Sequence, residues 1–103
     1  MGLVLIRVMK KANKGQQFIA KELPDAEMKK LLSEAGKLLK AMRDDRTTLE
    51  RFAYEISISR SQMSKYEAGG DMLFSTFLRL LHGLDITGEE FFKELQKKSR
   101  KIV

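Results

Sequence analysis

The chain of 103 residues contains no cysteine and one histidine, His82. The absence of cysteine excludes disulfides, thiol nucleophiles and cysteine metal sites, and a single histidine excludes a multi-histidine metal site. The acidic pairs Asp44-Asp45 and Glu89-Glu90 are the remaining general-acid candidates. Both pairs are predicted at helix ends, where acidic residues are ordinary cap and turn material. We therefore expect no enzyme activity, no metal and no cofactor.

Long apolar runs are also missing. The longest candidate, residues 3–8, is interrupted by Arg7 and falls far short of the ~20 residues that a membrane span needs. A secretory signal places basic residues before its apolar stretch, whereas Lys10 and Lys11 come after this one. With 43% hydrophobic residues the chain can bury one modest core. We therefore expect a cytoplasmic protein that makes no use of a membrane.

Positive charge is concentrated at the two ends of the chain. The net charge is +6, and the isoelectric point near 9.7 is typical of nucleic-acid-binding domains. Residues 1–46 carry 11 basic and 6 acidic side chains, residues 47–92 carry 4 and 7, and residues 93–103 carry 5 and 1. Such a balance suits a phosphate backbone, an acidic membrane surface, an acidic protein or simple solubility.

Pro24, the single proline, divides the chain into an N-terminal arm, residues 1–24, and a helical part. The arm contains the β-like run Leu3-Val4-Leu5-Ile6, which predicts an edge strand, a segment that pairs with another subunit, or a frayed terminus. After Pro24, the domain of residues 25–92 is followed by a basic tail, residues 93–103.

Apolar spacing of three and four predicts five helices after Pro24. They cover residues 25–45, 48–56, 59–68, 74–84 and a last one that begins at 87–88. We expect the helix N-caps at Asp25, at Thr47 or Thr48, at Ser59 and at Thr87, with capping boxes at the last two. The four phenylalanines of the last two helices are expected in the core, and Gly36 in the first helix at a modest cost. The fold class is thus all-α, a compact five-helix bundle.

The second and third helices meet across a two-residue break, Ser57-Ile58, and the third presents a polar face. Its arginine, lysine, glutamine and serines can hydrogen-bond the base edges of the DNA major groove, which admits one α-helix. A solvated helix face with no ligand has the same composition, so both readings stay open on spacing alone.

Residues 48–92 resemble the helix-turn-helix regulators of the phage Cro and repressor type, the Xre-like family. The resemblance is carried by Thr48–Ala53, by Ile56–Gly69 with its Ser-Arg-Ser core and Tyr66-Glu67, and by a closing helix pair ending in Ile86–Phe92. It implies a bundle of the lambda-repressor-like DNA-binding type with a recognition helix at residues 59–68. Two positions depart from the family: Leu49 replaces an expected backbone-contacting glutamine, and Ser57 stands where glycine is frequent.

The resemblance also assigns roles to individual residues. Those expected to bind DNA bases are Ser59, Arg60, Ser61, Gln62 and Lys65. Apart from the resemblance, the phosphate contacts are expected at Arg43, Arg46, Thr48 and Ser64, and charge counting adds Lys93, Lys97 and Lys98 as cations that flank the groove. Glu67 is expected to serve structure through a salt link to Arg51 or Arg60.

The leading hypothesis is a sequence-specific transcriptional regulator that binds double-stranded DNA as a homodimer on a two-fold operator. One alternative is the antitoxin of a toxin–antitoxin pair, which binds DNA and grips a small protein partner with an added segment such as the N-terminal arm. Another is a helix-turn-helix module used for protein interaction alone, which the acidic balance of residues 47–92 favours.

Overall fold

The computed structural model describes residues 17–98, and this part of the chain is helical with no strand. Its five helices are α1 (Asp25–Asp44), α2 (Leu49–Glu55), α3 (Arg60–Glu67), α4 (Phe74–Gly83) and α5 (Gly88–Gln96). The predicted all-α class and the five predicted helices are confirmed, with ends that agree to within one or two residues. The β-like run Leu3–Ile6 and the end of the basic tail lie outside the described residues.

Threonine and serine side chains fix where the short helices begin. The Thr48 hydroxyl accepts a hydrogen bond from the Arg51 backbone N–H at 3.2 Å, which settles the choice between Thr47 and Thr48. Thr87 forms the predicted capping box, exchanging hydrogen bonds with Glu90. These contacts satisfy N–H groups that have no partner inside the helix.

Two of the predicted caps are wrong in part. Asp25 is the first residue of α1 rather than its cap; Pro24 occupies the cap position and makes no side-chain cap bond. Ser59 does cap α3, accepting from the Gln62 N–H at 3.1 Å. Within residues 17–98, however, the Gln62 amide does not return a hydrogen bond to Ser59, so the predicted capping box is only half formed.

The core is a single apolar cluster to which every helix contributes. Helix α4 packs on α5 through an edge-on contact of Phe77 with Phe91, whose ring centres lie 5.2 Å apart. Phe91 is buried and Phe77 half-buried, as expected. Phe74 and Phe92 are not core residues, since 71% and 40% of their surfaces are exposed. The cluster consists of Leu38, Leu39, Phe52, Ala53, Ile58, Met63, Leu80, Leu81, Leu84, Phe91 and Leu95.

Gly36 lets α1 cross closely over the end of α3. A Cβ at this position would lie 2.8 Å from the carbonyl oxygens of Tyr66 and Glu67 and 2.9 Å from the Gly69 nitrogen. All three neighbours are backbone atoms, which cannot move aside as a flexible side chain can. Gly36, which has a low helix propensity, therefore allows α1 to cross closely over α3.

Replacing Gly36 by alanine is expected to lower the free energy of unfolding by about 1–3 kcal/mol, the usual cost of overpacking. Helix propensity alone predicts the opposite sign, because alanine is favoured over glycine by about 1 kcal/mol. The matched control is Gly88→Ala at the start of α5, where a Cβ would have no neighbour within 4 Å. Urea denaturation of both variants checks the prediction, and equal stability of Gly36→Ala and wild type would contradict the close crossing.

No helix within residues 17–98 combines the length and the apolar character that crossing a bilayer requires.

Candidate nucleic-acid interface

The turn between α2 and α3 sets the angle between these two short helices. Ser57 has a φ of 60°, in the left-handed region that favours glycine. Its N–H donates to the Tyr54 carbonyl at 3.2 Å, and the next N–H, of Ile58, donates to the Ala53 carbonyl at 2.9 Å. Because Ile58 is buried in the core, the turn is held from inside. Serine thus adopts here a backbone conformation that glycine takes more readily.

Helix α3 is anchored by one face and exposed on the other. Met63 is completely buried, and Tyr66 is half-buried one turn further along. The anchor therefore fixes the rotation of the helix about its axis. The sequence-predicted base-contacting residues are all exposed, so α3 and its cap bring them together on one short element: Ser59, Arg60, Ser61, Gln62 and Lys65.

A buried ion pair fastens the end of α3 to α1. Arg43 donates to both carboxylate oxygens of Glu67, from Nε and from Nη2, each at 2.8 Å. Its Nη1 donates to the Thr47 carbonyl at 3.1 Å and also contacts Asp44. The Arg43 and Glu67 side chains are 5% and 7% exposed. A bidentate pair of an arginine with a carboxylate is the strong form of a salt bridge.

This pair corrects two expectations. Arg43 is not a phosphate contact, because its guanidinium is buried and every nitrogen is engaged within the protein. The predicted partner of Glu67 was Arg51 or Arg60, whereas the observed partner is Arg43. The hydrogen bond from Arg43 to Glu67 is also the main cause that raises the pKa of Arg43 above its usual value, so the arginine is charged at every accessible pH.

A second ion pair lies on the exposed side, at the start of α3. The Arg60 Nε donates to Glu50 Oε1 at 2.9 Å, and the two side chains are 65% and 60% exposed. The hydrogen bond from Arg60 holds the pKa of Glu50 below its ordinary value, so this carboxylate is ionised at neutral pH. The bond uses the Nε of Arg60 alone, neither Nη group donates a hydrogen bond within residues 17–98, and the pair places a negative charge beside the polar face.

The remaining predicted phosphate contacts lie near the entrance of α2 and on α3. Arg46 is exposed, with Nη1 donating to the Met42 carbonyl at 2.7 Å. The Thr48 hydroxyl is exposed while it caps α2, and Ser64 is exposed on α3. Leu49, the departure from the family pattern, is half-buried against the core and offers no donor.

Sequence reasoning missed Lys40. This exposed lysine lies on α1 and lines a shallow groove of 370 Å³ together with Leu49 and Ser64. The groove is where α1, α2 and α3 meet, so Lys40 is a cation close to the polar helix. Its position three residues before Arg43, on the same face of α1, was the available signal.

Comparisons with protein-family models, with curated protein sequences and with solved structures find no match to this chain.

Proposed function

We propose that the protein is a sequence-specific DNA-binding regulator, of the Xre-like helix-turn-helix type, with α3 as its recognition helix. The observation that carries the proposal is the rigid presentation of α3. Its inner face is locked by fully buried Met63 and by the Arg43–Glu67 pair. Its outer face carries only groups that donate to or accept from base edges in a major groove.

The exposed groups divide between reading bases and holding phosphates. Arg60 and Lys65 suit the O6 and N7 acceptors of guanine, Gln62 suits adenine, and Ser59 and Ser61 suit either. Phosphate contacts come from Arg46, Thr48, Ser64 and Lys40. Lys40 supplies the positive charge that buried Arg43 cannot offer to a phosphate. Phosphate contacts supply most of the affinity and position the helix, while base contacts supply the sequence preference.

In this proposal the active species is a homodimer on a two-fold operator. Regulators with one recognition helix per subunit place two such helices in successive major grooves, about 34 Å apart. A single α3 of eight residues reads too few bases to select a site in a genome. A second copy doubles the contacts, and it makes the operator symmetric.

A second candidate function, a protein-interaction module or antitoxin, is favoured by the apolar surface. Tyr54, Leu73 and Phe74 are 85%, 73% and 71% exposed. Leu73 and Phe74 are adjacent in the chain, and exposed large apolar groups that lie together mark contact sites for other protein surfaces. An antitoxin would use such a surface for its partner in addition to α3 for DNA, whereas a pure interaction module would not bind DNA at all.

Titration of a mixed-sequence duplex with the protein at 50 mM and at 200 mM salt separates the DNA-binding functions from the pure interaction module. A DNA-binding protein is expected to bind such a duplex non-specifically with a Kd of about 10⁻⁴–10⁻⁶ M, weakening steeply as salt rises. Fluorescence anisotropy of a labelled duplex measures the Kd and its dependence on salt. Absence of any salt-dependent binding would contradict the proposal and favour the interaction module.

The carboxylate of Glu50 is expected to oppose binding, because it adds a negative charge beside Arg60. Glu50→Gln keeps an oxygen that accepts from the Arg60 Nε and removes the charge, so affinity for any duplex should rise about threefold to fivefold at low salt. Glu55→Gln is the matched control: it lies on the same helix, about 140° around the axis, and pairs with Arg51. Weaker binding by Glu50→Gln alone would contradict this account and show that the charge itself positions Arg60.

A further inference from the structure

An apolar groove lies on the side of the molecule formed by α1, α4 and α5. It encloses 260 Å³ between Leu32 of α1, Phe77 of α4 and Phe91 of α5. Asp71 is the single charged residue of its lining, and the Asp71 Oδ1 accepts a hydrogen bond from the Met72 N–H at 2.9 Å. The lining therefore carries no cation, although the chain as a whole has a net charge of +6.

Three exposed apolar side chains lie at this groove or beside it. Phe74 and Leu78 are 71% and 49% exposed and lie one turn apart on α4, and Phe92 on α5 is 40% exposed. The Phe77 ring in the groove wall lies 6.3 Å from the Phe74 ring and 5.8 Å from the Phe92 ring, measured between ring centres. We call the groove together with Phe74, Leu78 and Phe92 the apolar face, which residues 17–98 leave open to solvent.

The chemistry of the apolar face selects a protein surface as its occupant. A DNA-binding surface needs cations for the phosphates, and the groove has none in its lining. Pockets for small molecules usually enclose about 300–1,000 Å³ and carry several converging polar groups, whereas this groove is smaller and has one carboxylate. The centre of a protein–protein contact, by contrast, is apolar, rich in aromatic residues and poor in charge.

We propose that the occupant is the apolar face of a second copy of this chain, related to the first by a two-fold axis. A two-fold contact uses the same patch on both copies, so the patch must contain both a protrusion and a recess. The apolar face has both, because Phe74 is largely exposed at the groove that it helps to line. In the dimer each Phe74 enters the groove of the other copy. Two identical surfaces with so little charge approach each other without strong repulsion.

The exposed apolar area is sufficient for a small dimer interface. With roughly 200 Å² for a fully exposed large side chain, Phe74, Leu78 and Phe92 together present about 300 Å² per copy. Two copies thus contribute about 600 Å², to which the groove walls add. The smallest standard interfaces bury about 1,200 Å² in total, of which somewhat more than half is apolar. The apolar face therefore fits an interface at the lower end of the stable range.

This dimer leaves the proposed recognition helix free. No residue of α2 or α3 lines the groove, so the exposed polar face of α3 stays available for DNA when the apolar face is covered. The inference rests on the proposed function for the need of two recognition helices, and it names the surface that joins them. It is tested in the absence of DNA.

The full chain without DNA is expected to be a dimer, with twice the monomer mass of 11.8 kDa, at a concentration of about 200 μM. Sedimentation equilibrium measures the mass, and dilution gives the dimer Kd. A monomer mass at this concentration would overturn the proposal. A species larger than a dimer would also overturn it, because a two-fold contact closes on itself.

Phe74→Ser removes the protrusion from both copies, so the dimer Kd should rise at least about hundredfold, or tenfold for each copy. Leu78→Ser is an independent second variant and should raise the Kd at least about tenfold. The matched control is Tyr54→Ser, which removes an aromatic ring that is 85% exposed on α2 and should leave the Kd unchanged. Equal Kd values for the control and for both other variants would overturn the proposal. Thermal unfolding followed by circular dichroism verifies that each variant folds.

A fluorescence measurement tests whether position 74 itself is covered in the dimer. The natural chain has no tryptophan, so Phe74→Trp introduces a single indole and keeps a large apolar ring. Its emission maximum should shift to shorter wavelength as the concentration rises through the dimer Kd, because the indole leaves water. Tyr54→Trp should show no such shift. A dimer with unchanged emission from Phe74→Trp would assign the contact to another face and overturn the proposal.

Failure of this inference and failure of the proposed function give different results. A monomer that binds a mixed-sequence duplex in a salt-dependent manner would overturn the dimer surface alone. A dimer that dissociates on Phe74→Ser but binds no duplex would support the dimer surface and contradict the DNA-binding function.

Discussion

Replacing Glu67 by alanine is expected to lower the free energy of unfolding by about 3–5 kcal/mol, because it leaves the Arg43 guanidinium buried without its counter-charge. The two hydrogen bonds lost are each 2.8 Å long, and among residues 17–98 the remaining partners of Arg43 are the Thr47 carbonyl and the exposed Asp44. Urea denaturation followed by circular dichroism measures the change. Since a domain of this size is usually stable by about 5–15 kcal/mol, the loss is a large share of the total.

The comparison with a double variant separates the ion pair from packing. Arg43→Met with Glu67→Met removes both charges and fills a similar volume, so it should be more stable than Glu67→Ala alone. Glu55→Ala removes one member of an exposed pair, 3.5 Å from Arg51, and should change stability by less than about 1 kcal/mol. A loss below about 1 kcal/mol for Glu67→Ala would contradict the role assigned to the buried pair.

Simultaneous replacement of Arg60 and Lys65 by alanine is expected to weaken specific DNA binding by about two orders of magnitude or more. Each good pairing of a side chain with a base edge contributes about 1–3 kcal/mol of discrimination, and two positions are lost together. Both side chains are exposed, so the fold should keep its thermal unfolding midpoint. Fluorescence anisotropy measures the change in specificity, with one duplex selected by the protein from a random DNA library and a second duplex of scrambled sequence.

The matched control for this double variant is Lys29→Ala with Arg79→Ala. These two exposed cations lie on α1 and α4, outside α3, and their removal lowers the net charge by the same amount. The control should weaken binding to both duplexes slightly and equally, through the long-range field alone. If the two double variants lost the same affinity, the assignment of α3 as the recognition helix would be wrong.

Local chemistry explains which parts of the fold were predictable from sequence. The helix start at Thr87, and the one at Thr48 to within one residue, follow from a hydroxyl that accepts a hydrogen bond from the N–H three residues on, a contact that depends on neighbouring residues only. The burial of Met63 and Phe91 follows from apolar spacing. The exposed polar residues of α3 follow from the same periodicity, so most of the candidate site was visible in the sequence.

The parts that were missed depend on contacts between distant residues. Arg43 and Glu67 are 24 positions apart, and nothing local distinguishes a buried arginine from a phosphate-binding one. From sequence alone Gly36 is an unfavourable residue for a helix, and its role is clear only from the close approach of the α3 backbone. The apolar periodicity predicts that Phe74 and Phe92 are buried. It cannot show that no other part of residues 17–98 covers these two side chains.

Selection of bound duplexes from a random DNA library, followed by a salt titration on the selected sequence, tests the central claim most directly. The account predicts enrichment of a two-fold motif with half-sites about 34 Å, or one helical turn, apart, and a log Kd that rises steeply with log salt. The same selection with the Arg60→Ala, Lys65→Ala variant should lose the motif. Failure to enrich any sequence with the natural protein would contradict a DNA-reading function for α3.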